Sequence, residues 1–242
     1  MNKLELHKAY DFSSSDHPAF TAVFIHGIAA NWQSYEHALA FFEKDEKINA
    51  RLVAFDLLGA GDSLKSDELE YTYDEQLEAI KNSIKAAKIK TPFVLVGHSM
   101  GTFISARFAS KNPDMVKRLI LVSPPVYTKE DLANPAFAAA IKVFEDAVSV
   151  KDKTIVNEKS FQNSMKNIVM DPKNYDVLAG LDLPIDMVVG DLDKFIASYN
   201  LPRIKHANHN IKIHHTPSHH GVSHEKYYIM AELLEEETNE AL

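Results

Sequence analysis

The sequence predicts a doubly wound α/β fold in which helices cover both faces of a mostly parallel sheet. Short apolar runs rich in β-branched residues alternate along the chain with longer helical patterns. Runs that are apolar at consecutive positions are typical of strands buried on both faces, as in parallel sheets. Glycine-containing loops follow several of these runs, at the strand ends where such sheets bind ligands.

The predicted elements follow one another in a regular order. Five apolar runs read as buried strands, and a weaker sixth closes the series: 20–27, 50–56, 92–98, 117–124, 184–191 and 210–216. Helical patterns occur at four places: 32–43, 73–88, 100–111 and 224–237. Lys111, Asn112 and Pro113 form a helix stop before the fourth strand. Repeated strand–helix–strand units with right-handed crossovers place helices on both sheet faces.

One interval breaks this alternation. Residues 128–182 contain no convincing strand and have helical patterns separated by polar joints. A connection of 55 residues is far longer than the roughly 2–6 residues usual between a strand and a helix. We therefore expect an α/β core formed by 1–127 and 183–242, with a small helical cap, 128–182, inserted late in the chain.

The composition narrows the class of partner. A formal charge of −8 disfavours nucleic acid and anionic lipid as general partners. The absence of cysteine excludes disulfides and thiolate sites. No apolar run approaches the ~20 residues needed to cross a bilayer, and residues 1–20 lack the pattern of a secretion signal. We expect a globular cytoplasmic protein with no membrane or nucleic-acid partner, while its oligomeric state stays open.

The segment Gly-His-Ser-Met-Gly at 97–101 joins a predicted strand to a predicted helix. A serine in so tight a turn adopts a strained backbone that pushes its hydroxyl clear of both elements. Glycine two residues before and two after removes the Cβ atoms that would clash there. This pattern predicts Ser99 as a nucleophile, with the N-terminal amides of the helix aimed at developing negative charge.

Taken together, these segments resemble α/β-hydrolase-fold proteins of the single-domain esterase, lipase and C–C hydrolase group. The matching pieces run through nearly the whole chain in the family's order: HG at 26–27, DLLGAGDS at 56–63, GHSMG at 97–101, GDLD at 190–193 and PSHHGVSHE at 217–225. Leu58 is a departure, since members often carry Arg or Pro there. The resemblance implies a serine nucleophile served by a histidine base and an orienting carboxylate.

The acid follows a late strand, because the chain order in this fold is Ser, Asp or Glu, then His. Asp191 and Asp193 both follow the apolar run MVVG at 187–190. The resemblance places the acid three residues past Gly190, at Asp193, and leaves Asp191 to hold the turn.

The base comes from a dense group of histidines, which are His214, His215, His219, His220 and His224. The resemblance places the base five residues before a Glu that opens the last helix, which matches His220 and Glu225, with His219 as the alternative. The group lacks the regular ligand spacing of a zinc site. We therefore expect neither a metal nor a cofactor.

An oxyanion hole requires two backbone N–H groups. One belongs to Met100, directly after the nucleophile, and the resemblance assigns the other to Ile28, which follows His-Gly.

The expected partner is a small-molecule ester. Apolar side chains of the cap are candidates for the pocket wall: Phe137, Ile141, Phe144, Val148, Phe161, Met165 and Met170. Because no Arg or Lys cluster marks a site for a charged headgroup, we expect a carboxylesterase for small to medium uncharged esters. The sequence leaves three alternatives open: a thioesterase, a C–C bond hydrolase with the same triad, and a ligand-sensing protein with little turnover.

Overall fold

A computed structural model of the protein describes residues 3–149 and 155–241. Within them, seven strands form one sheet, in chain order β1 (His7–Ser13), β2 (Phe20–Ile25), β3 (Ala50–Asp56), β4 (Phe93–His98), β5 (Val116–Val122), β6 (Ile185–Gly190) and β7 (Ile211–Thr216). The spatial order is β1-β3-β2-β4-β5-β6-β7, and every pairing except that of β1 with β3 is parallel. The predicted α/β fold class is confirmed, and the six predicted strands lie within two residues of the observed ones.

The antiparallel edge strand β1 was not predicted. Its burial alternates between partial and full exposure, so it lacks the continuous apolar run that revealed the inner strands. Tyr10 of this strand stacks on Trp32, with ring centroids 5.8 Å apart. An edge strand pairs on one side only and leaves most of its side chains in water, which explains the weak signal.

Nine α-helices lie in the described residues: α1 (Glu36–Phe42), α2 (Tyr73–Ala86), α3 (Met100–Lys111), α4 (Lys129–Ala133), α5 (Pro135–Ser149), α6 (Glu158–Ser164), α7 (Asn174–Ala179), α8 (Leu201–Ala207) and α9 (His224–Glu240). The predicted helix 32–43 is a 3₁₀ turn, Trp32–Tyr35, followed by α1. Short α8 was not predicted. Thr72 and Glu75 form a capping box that fixes the start of α2.

Two hydrophobic layers enclose the sheet. Alternate residues of β4 point to opposite faces, so Leu95 packs with α2 and α3, whereas Val94 and Val96 pack with α1 and α9. Both faces of the central strands are therefore covered, as the continuous apolar runs predicted.

The turn from β4 into α3 brings main chain against main chain. A Cβ atom built on Gly101 would lie 2.4 Å from the carbonyl oxygen of Ile25 in β2. A Cβ atom on Gly97 would lie 2.5 Å from the carbonyl oxygen of Gly101. Both distances are impossible for a side chain, so these two glycines allow α3 to start directly above the sheet edge.

Helices α4 to α7 follow β5 and precede β6, where the helical interval was expected. A π-helical turn, Met165–Val169, extends α6. Residues 150–154 of the predicted cap 128–182 lie outside the described residues. None of the described helices combines the length and apolar composition required to cross a membrane.

Replacing Gly101 by Ala tests the contact between α3 and β2. The added methyl group overlaps backbone atoms that cannot move independently, and such overpacking costs about 1–3 kcal/mol. For a domain of this size that corresponds to a fall in Tm of about 3–10 °C in thermal denaturation.

Gly180→Ala is the matched control, because the nearest atom to its added Cβ lies 3.4 Å away and its backbone φ is −96°. We expect its Tm to stay within about 2 °C of wild type. Equal Tm values for the two variants would contradict the steric argument.

Candidate active site

Ser99 sits between β4 and α3 with backbone angles that few residues adopt. Its φ is 52° and its ψ is −120°, a conformation that costs on the order of 1–3 kcal/mol and persists only when neighbours enforce it. Its N–H donates to the carbonyl of Val122 (3.0 Å), and its carbonyl accepts from the N–H of Thr102 (2.9 Å). This geometry is that of a nucleophile elbow, which lifts the hydroxyl above the sheet edge.

The structure brings the three predicted side chains into one hydrogen-bonded chain. Ser99 Oγ lies 2.9 Å from Nε2 of His220, and Nδ1 of His220 lies 2.7 Å from Oδ2 of Asp193. A carboxylate only accepts, so Nδ1 carries the proton and Nε2 is left to accept from the serine. The imidazole is thus held in the tautomer that a general base for Ser99 needs.

Asp193 is fully buried at its side chain and lies in the loop after β6. Burial by itself raises the pKa of this carboxyl. The hydrogen bond from His220 and the N–H of Phe195, 2.8 Å from Oδ1, outweigh burial and hold the pKa below its ordinary value. Asp193 is therefore a stable carboxylate facing His220.

The strand order explains why these loops meet. The connection from β2 leads to β3 on one side, whereas β4 lies on the other side of β2. Crevices at such a switch point, beyond the carboxyl ends of the strands, are the usual ligand sites of open α/β sheets. Ser99 leaves β4 and Ile28 follows β2, so both stand at this point.

The two predicted oxyanion donors, Ile28 and Met100, line the same cavity as Ser99 and His220. Gly27 allows this approach, because a Cβ atom there would lie 3.0 Å from Cβ of Ser99.

His26 fixes the loop that carries Ile28. Its Nδ1–H donates to the carbonyl of Gly27 (2.8 Å), and its Nε2 accepts the N–H of Leu57 (2.9 Å). Burial lowers the pKa of His26, so its ring is neutral in this bridge between the loops after β2 and β3.

Three further residues, which are not among the predicted site residues, form hydrogen bonds around the loop of His220. His98 Nε2–H and Ser123 Oγ–H both donate to the carbonyl of His220, at 2.9 and 2.8 Å. Lys226, at the start of α9, donates to Ser123 Oγ at 2.7 Å. Burial, followed by the nearby His220, lowers the pKa of His98 to about 3, so its ring is neutral. No sequence pattern singled out Ser123 or Lys226.

The crowded histidines have separate partners. His214 Nε2 pairs with Asp186 (2.7 Å), whereas Nδ1 of His219 faces the carbonyl of Leu192 (3.2 Å). His224 packs on Tyr228, with ring centroids 4.4 Å apart.

His215 and Asp191 form a second acid–histidine pair, with Nδ1 2.7 Å from Oδ1. This pair lies in solvent, since both side chains are 56% exposed. Asp191 also joins β6 to β7 through its N–H, which donates to the carbonyl of Thr216 (2.8 Å). Asp191 therefore stabilises the turn after β6, the role that the sequence analysis gave it.

A small cavity lies above Ser99. Besides Ser99 and His220, its wall is mostly apolar and consists of Ile28, Met100, Pro125, Tyr127, Ile141, Met165, Val169 and Phe195. Two of the seven predicted cap residues, Ile141 and Met165, belong to this wall.

The other predicted cap residues have different surroundings. Phe137 packs on Tyr127, with ring centroids 4.7 Å apart, and Phe161 lines a smaller adjoining cavity that shares Ile28 and Met100. Met170 is not in the wall of either cavity. The side chains of Phe144 and Val148 lie outside the described part of the structure.

One group of possible metal ligands occurs in the described residues, formed by His7, Asp56 and Asp62. Both carboxylate oxygens of Asp56 already accept backbone N–H groups, from Trp32 (2.9 Å) and Asp62 (3.1 Å). These bonds give Asp56 a structural role in the loops after β2 and β3.

Comparison with known proteins extends the sequence argument. The chain is 36% identical over 135 residues to a probable lysophospholipase, BODYGUARD 5 of Arabidopsis thaliana, a match covering 55% of this chain and 30% of that protein. It is 28% identical over 142 residues to putative esterase/lipase 2 of Mycoplasma pneumoniae, covering 56% and 52%. The chain thus spans about half or less of the length of these curated relatives.

Structural comparison supports the same fold. An esterase from Exiguobacterium antarcticum superposes with a TM-score of 0.73 at 18% identity, over 98% of this chain and 99% of that one. Finally, the family model described as alpha/beta hydrolase fold matches residues 23–169, which is more than half of the chain. The chain therefore belongs to the α/β-hydrolase fold family.

Proposed function

We propose that the protein is a serine hydrolase that cleaves small to medium uncharged carboxylic esters through an acyl-enzyme. The observation that carries the proposal is the unbroken hydrogen-bonded chain from Asp193 through His220 to Ser99, placed at an apolar cavity. A buried acid and a correctly oriented imidazole are what a serine hydroxyl requires to act as a nucleophile near neutral pH.

The reaction follows from the positions of the atoms. Nε2 of His220 takes the proton of Ser99 as Oγ attacks the ester carbonyl, and Asp193 stabilises the imidazolium that forms. The oxyanion is stabilised by the N–H groups of Ile28 and Met100. His220 then gives the proton to the leaving alcohol. Water, deprotonated by His220, then hydrolyses the acyl-enzyme, which releases the carboxylic acid and regenerates Ser99.

The cavity supports an uncharged substrate. Its described wall contains no lysine or arginine that would bind a phosphate or carboxylate, and an apolar wall favours an acyl chain or alkyl group. The names of the relatives, a probable lysophospholipase and a putative esterase/lipase, are consistent with ester chemistry.

The proposal also covers the helices above the site and the location of the protein. We assign α4 to α7 the role of a cap over it, because Ile141 of α5 and the turn Met165–Val169 line the cavity. The acidic, cysteine-free composition supports a cytoplasmic protein acting on a small molecule rather than on nucleic acid or a membrane.

The first test is hydrolysis of p-nitrophenyl esters from acetate to decanoate by wild type, Ser99→Ala and His220→Ala. We expect wild-type turnover, and a loss of at least about 10³-fold in kcat/KM for each variant, because each removes a member of one catalytic unit. His215→Ala, which breaks the exposed pair with Asp191, is the matched control and keeps full activity.

Two results would contradict the proposal. A wild-type protein inert toward every ester would reject carboxylesterase activity and turn attention to thioesters, vinylogous diketones and ligand binding. An active His220→Ala variant together with an inactive His219→Ala variant would move the base to His219.

Asp193→Asn tests the orienting carboxylate. The amide can donate as well as accept, so it stabilises the wrong imidazole tautomer and cannot stabilise the imidazolium. We expect kcat to fall by about 10⁴-fold, the size of this effect in other serine triads. Asp191→Asn is the control, two residues away and exposed. Equal activity of the two variants would place the acid elsewhere.

Val169→Phe tests the cavity as the acyl site. Val169 lines the cavity and is buried, so the larger ring removes space for long chains while acetate still fits. Each methylene excluded costs about 0.8 kcal/mol, close to fourfold in kcat/KM.

The control is Val143→Phe, on α5 but 69% exposed. We expect the optimum chain length to shorten in Val169→Phe alone. An unchanged chain-length profile would place the acyl chain in another region.

A further inference from the structure

Lys226 is a lysine with no exposed surface, at the first turn of α9. Lysine is almost never fully buried without partners, because its ammonium group loses its hydration. Its Nζ donates to three acceptors: the carbonyl of His219, the carbonyl of Gly221 at 2.9 Å and Oγ of Ser123 at 2.7 Å. An ammonium group has three N–H bonds, so every donor is used.

These bonds complete a set around the base. The carbonyl of His220 itself accepts from Ser123 Oγ and His98 Nε2. Three consecutive carbonyls, those of residues 219, 220 and 221, are therefore held by one cluster formed by His98, Ser123 and Lys226. The chain on either side of the His220 Cα is fixed by this cluster.

The loop has further restraints on the side of β6. Leu192 N–H donates to the carbonyl of Ser218 (3.0 Å), and Nδ1 of His219 lies 3.2 Å from the carbonyl of Leu192. The position of the His220 ring relative to Ser99 thus depends on the cluster as well as on Asp193.

We propose that Lys226 is a positioning residue of the active site, which sets the distance from His220 Nε2 to Ser99 Oγ by binding the loop that carries His220. This inference rests on the proposed function of Ser99 and His220. Lys226 acts through Ser123 and the loop carbonyls, and its role is separate from proton transfer at the serine.

The protonation state of Lys226 gives the cluster a pH dependence. Burial lowers its pKa to about 8, although the carboxylates of Asp193 and Glu225 oppose this shift. The other titratable groups around it are His98 on β4 and the histidines of the loop, His219 and His220.

A neutral amine has two N–H bonds and one lone pair for three partners. Ser123 has a single proton, and if it turns toward the amine it no longer holds the carbonyl of His220. Hydrolysis is therefore expected to decline above about pH 8 as this amine loses its proton.

Lys226→Met tests the inference, with Lys205→Met as the matched control, since Lys205 also donates to a backbone carbonyl (that of Ile211, 2.7 Å) but on α8. Two readouts are measured: ester hydrolysis across pH 6–10, and the rate at which a fluorophosphonate modifies Ser99. We expect Lys226→Met to lower kcat and the modification rate by about 10²-fold, the size of a misplacement near 1 Å. KM stays within twofold, and the decline above pH 8 disappears.

The outcomes are distinguishable. Wild type that neither hydrolyses esters nor reacts with the fluorophosphonate overturns the proposed function. Active wild type with a folded, equally active Lys226→Met overturns the inference alone.

Where Lys226→Met does not fold, Lys226→Ala with added propylammonium is the second measurement. Rescue of the Ser99 modification rate by the amine, and not by propanol, supports the inference, and no rescue overturns it.

Ser123→Ala is a second, independent test of the cluster. It removes one donor to the His220 carbonyl and one of the three acceptors of Lys226. The bonds from Lys226 to the carbonyls of His219 and Gly221 remain, so we expect a smaller fall in kcat, about tenfold. Ser105→Ala is the control, a buried serine on α3 whose Oγ has no hydrogen-bond partner among the described residues. Equal kcat for Ser123→Ala and Ser105→Ala would contradict a role for this cluster.

Discussion

The close contact between the first turn of α3 and the carbonyl end of β2 is the constraint on which the site depends. Gly101 rests on the carbonyl of Ile25, and Gly97 rests on the carbonyl of Gly101. This packing holds Ser99 at φ 52° and directs its hydroxyl away from the sheet. It also places Met100 beside the loop after β2, so the same contact positions the proposed nucleophile and the proposed oxyanion donors.

The proposed acid and base, Asp193 and His220, are distant from Ser99 in the sequence. Ser99 and His220 are 121 residues apart in sequence, and buried polar bonds fix the loops between them. Tyr127 donates to the carbonyl of Phe195 (2.6 Å), and Asn200 donates to that of Val126 (2.8 Å). These bonds tie the loop of Asp193 to the chain leaving β5. The sheet thus sets the approximate positions of the loops that carry Ser99, Asp193 and His220. Side-chain hydrogen bonds between these loops set the final distances between the three side chains.

The inner strands, α3 and the GHSMG turn were predictable because local sequence determines them: continuous apolar runs, a helix stop and two glycines. Strand β1 was not predicted, because its side chains are partly or fully exposed and it has no continuous apolar run. The cluster of His98, Ser123 and Lys226 was not predicted for a different reason. A lysine next to a glutamate at a helix start is typical of a solvated surface, and Lys226 becomes buried only when Ser123 and the His219–Gly221 carbonyls surround it. That arrangement is tertiary and leaves no local pattern.

Two acid–histidine pairs, whose acids are two residues apart in the sequence, differ in their surroundings. Asp191 with His215, and Asp193 with His220, have the same 2.7 Å separation. The first pair is exposed, where water screens the charges and the attraction is weak. The second has a fully buried acid and faces Ser99. In the proposed mechanism, burial lets Asp193 stabilise a developing imidazolium, and the cluster of His98, Ser123 and Lys226 keeps the His220 ring beside Ser99. The sequence predicted the pair of Asp193 with His220 and did not predict the pair of Asp191 with His215. The packing around each pair is what distinguishes the proposed catalytic pair from a surface contact.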